Sequence, residues 1–117
     1  MNENIAKNEN AEAAIPEALF EIRPVVDITE SAEGVTLCLE VPGANAGTVD
    51  VEVKYDVLYV SAKSSLRRRE RQVVYKRAFQ LSDSVDVENI SAKTEDGVLT
   101  IEIPKSEKAK VHKIKVN

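Results

Sequence analysis

In the stretch Ile90-Ser91-Ala92-Lys93-Thr94-Glu95-Asp96-Gly97-Val98-Leu99-Thr100-Ile101-Glu102-Ile103-Pro104, an extended run and an alternating one meet at Asp96-Gly97. Leu99, Ile101 and Ile103 fall on one face and Thr100 and Glu102 on the other, because successive side chains of a strand point to opposite sides of the sheet. Asp-Gly between two such runs is a strong signal for a tight β-hairpin, since both residues tolerate the positive φ that the turn demands. Pro104 closes the run, because proline donates nothing to a ladder.

The same period of two extends upstream. Val35, Leu37, Leu39 and Val41 alternate with Thr36, Cys38 and Glu40, between a turn at Glu33-Gly34 and a stop at Pro42-Gly43. Val49, Val51 and Val53 alternate with Asp50 and Glu52, and Leu58, Val60 and Ala62 follow after a tight connection at Tyr55-Asp56, which predicts a second hairpin. Val26 and Ile28 mark an entry strand. Tyr75, Arg77, Phe79 and Leu81 share one face of a further strand, with Arg77 interrupting an otherwise apolar set. Arg67 to Arg71 reads as a basic connector. The core is aliphatic and rich in valine, with only Phe20, Tyr55, Tyr59, Tyr75 and Phe79 aromatic, and β-branched residues of this kind fit half-buried pleated strands. No long helical run interrupts the pattern. The prediction is all-β: an antiparallel two-sheet immunoglobulin-like sandwich of about seven strands.

The 117 residues suffice for one core. Residues 1–24 read as a flexible N-terminal arm with a late apolar cluster at Ile15, Leu19, Phe20 and Ile22, where a short helix from Pro16 to Ile22 is one option. Residues 25–104 form the sandwich, and 105–117 a Lys-rich C-terminal extension. Net charge is −4, but residues 25–62 carry −6 and residues 63–77 carry +6, a division able to orient subunits or charged partners. No secretory leader or membrane-length apolar run is present in the sequence, and the single Cys38 forms no internal disulfide, so a cytoplasmic location is expected.

Chemistry is sparse. His112 and Cys38 are the only residues of their types, which leaves no His/Cys metal cluster and no Cys-His nucleophilic pair. The carboxylates sit at outward strand positions or turns, and the dispersed glycines build no phosphate loop. No catalytic residue, metal or cofactor is predicted, and the chain is not expected to be an enzyme. Arg67, Arg68, Arg69 and Arg71 are the best argument for nucleic acid, but the acidic pI and the lack of interleaved aromatics oppose it; a solvated loop or inter-subunit salt bridges with the acidic body is the preferred reading. No membrane partner is expected.

Ala92-Lys93-Thr94-Glu95-Asp96-Gly97-Val98-Leu99 resembles the A-x-x-x-N-G-V-L signature of the alpha-crystallin domain of small heat-shock proteins, with Asp96 in place of Asn. Four more matches occur in the family's order. Pro24 to Glu30 is similar to the entry strand, Val41-Pro42-Gly43 to its L-P-G turn, Tyr75-x-Arg77-x-Phe79-x-Leu81 to its F-x-R-x-F-x-L-P strand with Ser82 replacing the proline, and Pro104-Lys105 to its strand-ending P-K. Ile114-Lys115-Val116 resembles the C-terminal I-x-I/V motif. The resemblance implies an ATP-independent holdase that binds partly unfolded client proteins under stress, assembles as a homodimer or larger homo-oligomer, and hands clients to ATP-driven refolding chaperones. It also implies that Ile114 and Val116 dock as an added strand into a groove lined by Val49, Val51, Val53, Ile90 and Ala92, where alternate side chains enter pockets while backbone groups complete a sheet edge. By the same resemblance Val26, Ile28, Tyr75, Arg77 and Phe79 belong to the dimer interface, with Arg77 in a structural ion pair where the alternative is a simple exposed edge residue, and Ile15, Leu19, Phe20 and Ile22 form a client-binding arm or a strap. The connector Lys63 to Gln72 is shorter than the strand-swapping loop of bacterial and plant relatives, so an edge-to-edge dimer through the Tyr75 to Leu81 strand competes. The alternative reading is a co-chaperone-type adaptor that binds one folded partner.

Overall fold

A computed structural model describes residues 19–109 and 113–117. Eight strands run in the order β1 (Leu19–Ile22), β2 (Val26–Glu30), β3 (Gly34–Glu40), β4 (Val49–Lys54), β5 (Val57–Arg68), β6 (Arg71–Gln80), β7 (Ser91–Glu95) and β8 (Val98–Pro104). They form two four-stranded sheets, β1-β6-β5-β4 and β2-β3-β8-β7. The predicted sandwich of antiparallel hairpins is therefore present, with one parallel pair added at its edge, β1 against β6.

The alternation seen in the sequence sets which side chains are covered. Leu37, Leu39 and Val41 from one sheet and Leu58, Val60 and Ala62 from the other meet with Val73, Tyr75, Leu81, Leu99, Ile101 and Ile103 in a single buried cluster. Each fully covered aliphatic side chain contributes about 1.5–3 kcal/mol by leaving water. Three two-residue turns hold the hairpins in register. Tyr55-Asp56 (φ 52° and 64°), Arg69-Glu70 (50° and 65°) and Asp96-Gly97 (53° and 79°) all place both central residues in the left-handed region, the geometry whose twist matches that of the flanking strands.

Two sequence expectations are corrected here. Residues 19–22 are extended rather than helical: Phe20 and Ile22 pack on the core, and a parallel ladder to Gln72, Val73, Val74 and Tyr75 pairs one edge of the segment. The Arg67 to Arg71 connector is not a loop; β5 and β6 continue through it as one long hairpin, closed by Arg69-Glu70 and irregular between Lys63 and Arg67.

The Pro42-Gly43 turn is fastened beneath that hairpin. The Pro42 carbonyl accepts hydrogen bonds from the Ser64 hydroxyl and the Tyr75 hydroxyl, each at 2.8 Å, and the Gly43 carbonyl accepts one from the Ser65 N–H at 2.9 Å. Gly43 has φ +89°, and a Cβ there would collide with the Ser64 Oγ.

Candidate functional site

β4 and β7 are the outer strands of their respective sheets, on the same side of the sandwich. β4 pairs only with β5 and β7 only with β8, so each presents an outer edge with no ladder partner among the described residues. Between them lie two adjoining concavities. One, of about 460 Å³, is lined by Val49, Val51, Ala92 and Leu99 among others; the next, of about 360 Å³, by Val51, Val53, Leu58, Ile90 and Ala92 among others. Val51 and Ala92 border both. The five residues expected to line one groove are thus brought together, and Leu58, Leu99 and Val87 join them at its floor and rim. This follows from strand geometry: Val49, Val51 and Val53 share the face of the edge strand β4 that packs against the core, and all three are half-buried.

Ile114 and Val116 lie in a segment without regular secondary structure, 84% and 87% exposed. Alternate residues of an extended chain project to the same side about 6.6–6.8 Å apart, a spacing suited to two successive pockets.

The remaining predicted positions divide. Val26 is half-buried and Ile28 is 60% exposed on β2, the opposite edge of its sheet. Tyr75 is only 5% exposed and points into the core. Arg77 donates from Nη1 to the Pro24 carbonyl at 3.0 Å, and its guanidinium lies 5.1 Å from the Phe79 ring centre; its buried Nε has no partner among the described residues. No carboxylate pairs with it in the described part of this chain. β1 covers the β6 edge from Gln72 to Tyr75, so the edge available for pairing through β6 begins at Lys76. Leu19, Phe20 and Ile22 make up β1, while Ile15 and His112 fall outside the described residues.

The basic hairpin tip was legible as charge but not as structure. Arg67 donates to the Glu70 carbonyl, and the guanidinium groups of Arg68 and Arg71 both lie over the Phe20 ring, at 5.3 and 5.2 Å from its centre. Cys38 is half-buried on the outer face of β3, its sulfur 3.9 Å from the Thr100 hydroxyl. Among the described residues no group of His, Cys, Asp and Glu side chains is arranged to hold a metal ion, and no helix is long and apolar enough to cross a membrane.

The comparisons with known proteins agree with this architecture. The model of the Hsp20/alpha crystallin family matches residues 27–117. A probable 15 kDa heat shock protein of Leptospira interrogans is 37% identical over 92 residues, covering 72% of this chain and 71% of the relative. Small heat shock protein C4 of Rickettsia felis is 29% identical over 106 residues, covering 82% of this chain; the chain spans 65% of that protein's length. A small heat-shock protein from Xylella fastidiosa, known as a crystal structure with a distinct high-order structure, superposes with a TM-score of 0.64 at 27% identity, covering 82% of this chain and 97% of that one. A family model that matches residues 27–117, together with a relative 37% identical over 72% of the chain, means that this chain belongs to the Hsp20/alpha crystallin family, the small heat-shock proteins.

Proposed function

We propose that the protein is an ATP-independent holdase: it binds partly unfolded proteins through aliphatic surfaces and keeps them from aggregating until ATP-driven chaperones refold them. The observation that carries this reading is the combination, in one chain, of a two-pocket apolar groove between β4 and β7 and an exposed tail bearing aliphatic side chains at alternate positions. The tail of one copy docks Ile114 and Val116 against Val49, Val51, Val53, Ile90 and Ala92 of another and so links copies into a homo-oligomer. Residues 25–104 are the assembling unit, with residues 1–24 and 105–117 as its arm and extension, and Val26, Ile28, Arg77 and Phe79 lie where dimer contacts form. The location is cytoplasmic. A groove of this kind also suits hydrophobic stretches of a client, and heat favours its exposure by loosening contacts between copies, since a surface of this sort must be covered at rest to avoid self-aggregation. No bond chemistry is involved, and neither nucleic acid nor membrane is a partner.

The test is light scattering from a heat-aggregating protein without ATP, with this chain added at increasing molar ratios. Suppression that saturates at a fixed stoichiometry supports the holdase. No suppression at any ratio or temperature refutes it and favours an adaptor that binds one folded partner.

A further inference from the structure

We infer that the β6 edge from Gln72 to Tyr75 is a second strand-docking site, made for an extended segment of a client protein with an aromatic residue followed two positions later by an aliphatic one, and that residues 19–22 close it in the free protein. The inference rests on the holdase reading and identifies a binding surface for it outside the β4/β7 groove.

The occupant in the structure defines the site. β1 is four residues long, is the one parallel strand among the described residues, and pairs with β6 only. Leu19, Phe20, Glu21 and Ile22 lie opposite Gln72, Val73, Val74 and Tyr75. Phe20 and Ile22 therefore share the inward face of Val73 and Tyr75 and pack on the core, whereas Leu19 is 41% exposed. The fit is decided by two inward side chains and a backbone ladder. Alternating apolar segments of that type are common in the core strands of unfolded proteins, so an extended client segment meets the same requirements.

The hairpin tip adds selectivity. Arg68 and Arg71 are directly opposed across β5 and β6, and like charges in that position repel. In the structure each guanidinium lies over the Phe20 ring, at 5.3 and 5.2 Å from its centre. The electron-rich ring offsets the repulsion by cation–π attraction. An aromatic residue is therefore favoured at the first inward position, and a lysine or arginine there is rejected.

β1 is also built to leave. Beyond it, Arg77 holds the Pro24 carbonyl at 3.0 Å and Pro24 is buried, so the chain is anchored just after Arg23. Residues 19–22 can lift about that point without disturbing β2. A short strand at the end of a sheet belongs to the least stable part of a fold, and its departure leaves a row of unpaired backbone groups, a template for another strand.

The experiment uses full-length chain and a fluorescein-labelled peptide of residues 18–25, Ala-Leu-Phe-Glu-Ile-Arg-Pro-Val, followed by anisotropy. Phe20→Ala/Ile22→Ala weakens the resident strand; Glu21→Pro, which removes a backbone donor and keeps both apolar side chains, is the second variant should the first lose the wild-type circular dichroism. The expected result is peptide binding at least tenfold tighter to either variant than to wild type, since an open site no longer competes with its tethered occupant. Adding Arg68→Ala/Arg71→Ala weakens it about tenfold again by removing the clamp, whereas adding Val51→Glu in the β4/β7 groove leaves it unchanged. Equal binding to wild type and variants, loss of binding with Val51→Glu, or a wild-type dimer formed by exchange of residues 19–22 overturns the inference. Aggregation suppression measured on the same samples separates the two claims: suppression without peptide binding refutes this site alone, and peptide binding without suppression refutes the holdase.

Discussion

The Pro42 carbonyl permits a quantitative test of how the long hairpin is fastened to the sandwich. It accepts hydrogen bonds from both Ser64 and Tyr75 at 2.8 Å. Tyr75→Phe keeps the buried ring and removes one donor, with Ser64 still bonding the carbonyl; the expected cost is about 1 kcal/mol. Ser64→Ala also costs about 1 kcal/mol, because Tyr75 remains as donor while the Leu66 N–H loses its bond to the Ser64 oxygen. The double variant removes both donors and adds the penalty of an orphaned acceptor, so its cost exceeds the sum of the single costs by about 1 kcal/mol. For a sandwich of this size, 1 kcal/mol shifts the melting temperature by about 4–8 °C. Circular-dichroism melts, at one fixed protein concentration because assembly is linked to stability, should show drops of about 5 °C for each single change and about 15 °C for the pair. Strict additivity would refute the reasoning, since it would mean that water satisfies Pro42 whenever the side chains do not.

Three further outcomes follow from the backbone and the core. Arg69→Asn/Glu70→Gly should raise the melting temperature, because the left-handed conformation at both positions costs an ordinary residue about 1–2 kcal/mol that Asn and Gly largely avoid. Gly43→Ala should lower stability by at least about 2 kcal/mol in urea titration, since φ +89° and the Ser64 hydroxyl both oppose a Cβ there. Ile101→Ala, at a fully buried position between the sheets, should cost about 2–5 kcal/mol by the same measurement.

The hairpins that were legible in the sequence are those whose alternation and turn chemistry agree. Asp96-Gly97 combines a favoured pair of turn residues with Leu99, Ile101 and Ile103 inward, and the structure has that hairpin in that register. Arg69-Glu70 makes the same kind of turn from residues with no turn preference; pairing along the 12-residue β5 and the 10-residue β6 imposes the conformation that local propensity opposes. Residues 19–22 were ambiguous because Leu19, Phe20 and Ile22 suit a helical stripe as well as a strand, and only the β6 edge decides between them. Ser64 is a polar residue in a Ser-Ser pair, yet it is 1% exposed, because its partner is a backbone carbonyl 22 residues away that no periodicity reveals. The groove was expected only from the family resemblance. Alternation gave Val49, Val51 and Val53 one apolar face, and it is the placement of β4 at a sheet edge opposite β7 that makes this face border an opening.

The link between tail and groove is tested most directly by mass. Full-length wild type, Ile114→Ala/Val116→Ala and Val51→Glu are compared by multi-angle light scattering at the same concentration, with circular dichroism to establish that the sandwich is intact. Burying the two exposed side chains contributes about 1.5–3 kcal/mol each, enough for their loss to reverse assembly. Both variants are expected to shift to the same smaller species while wild type forms the larger one. An unchanged mass in either variant would contradict the link.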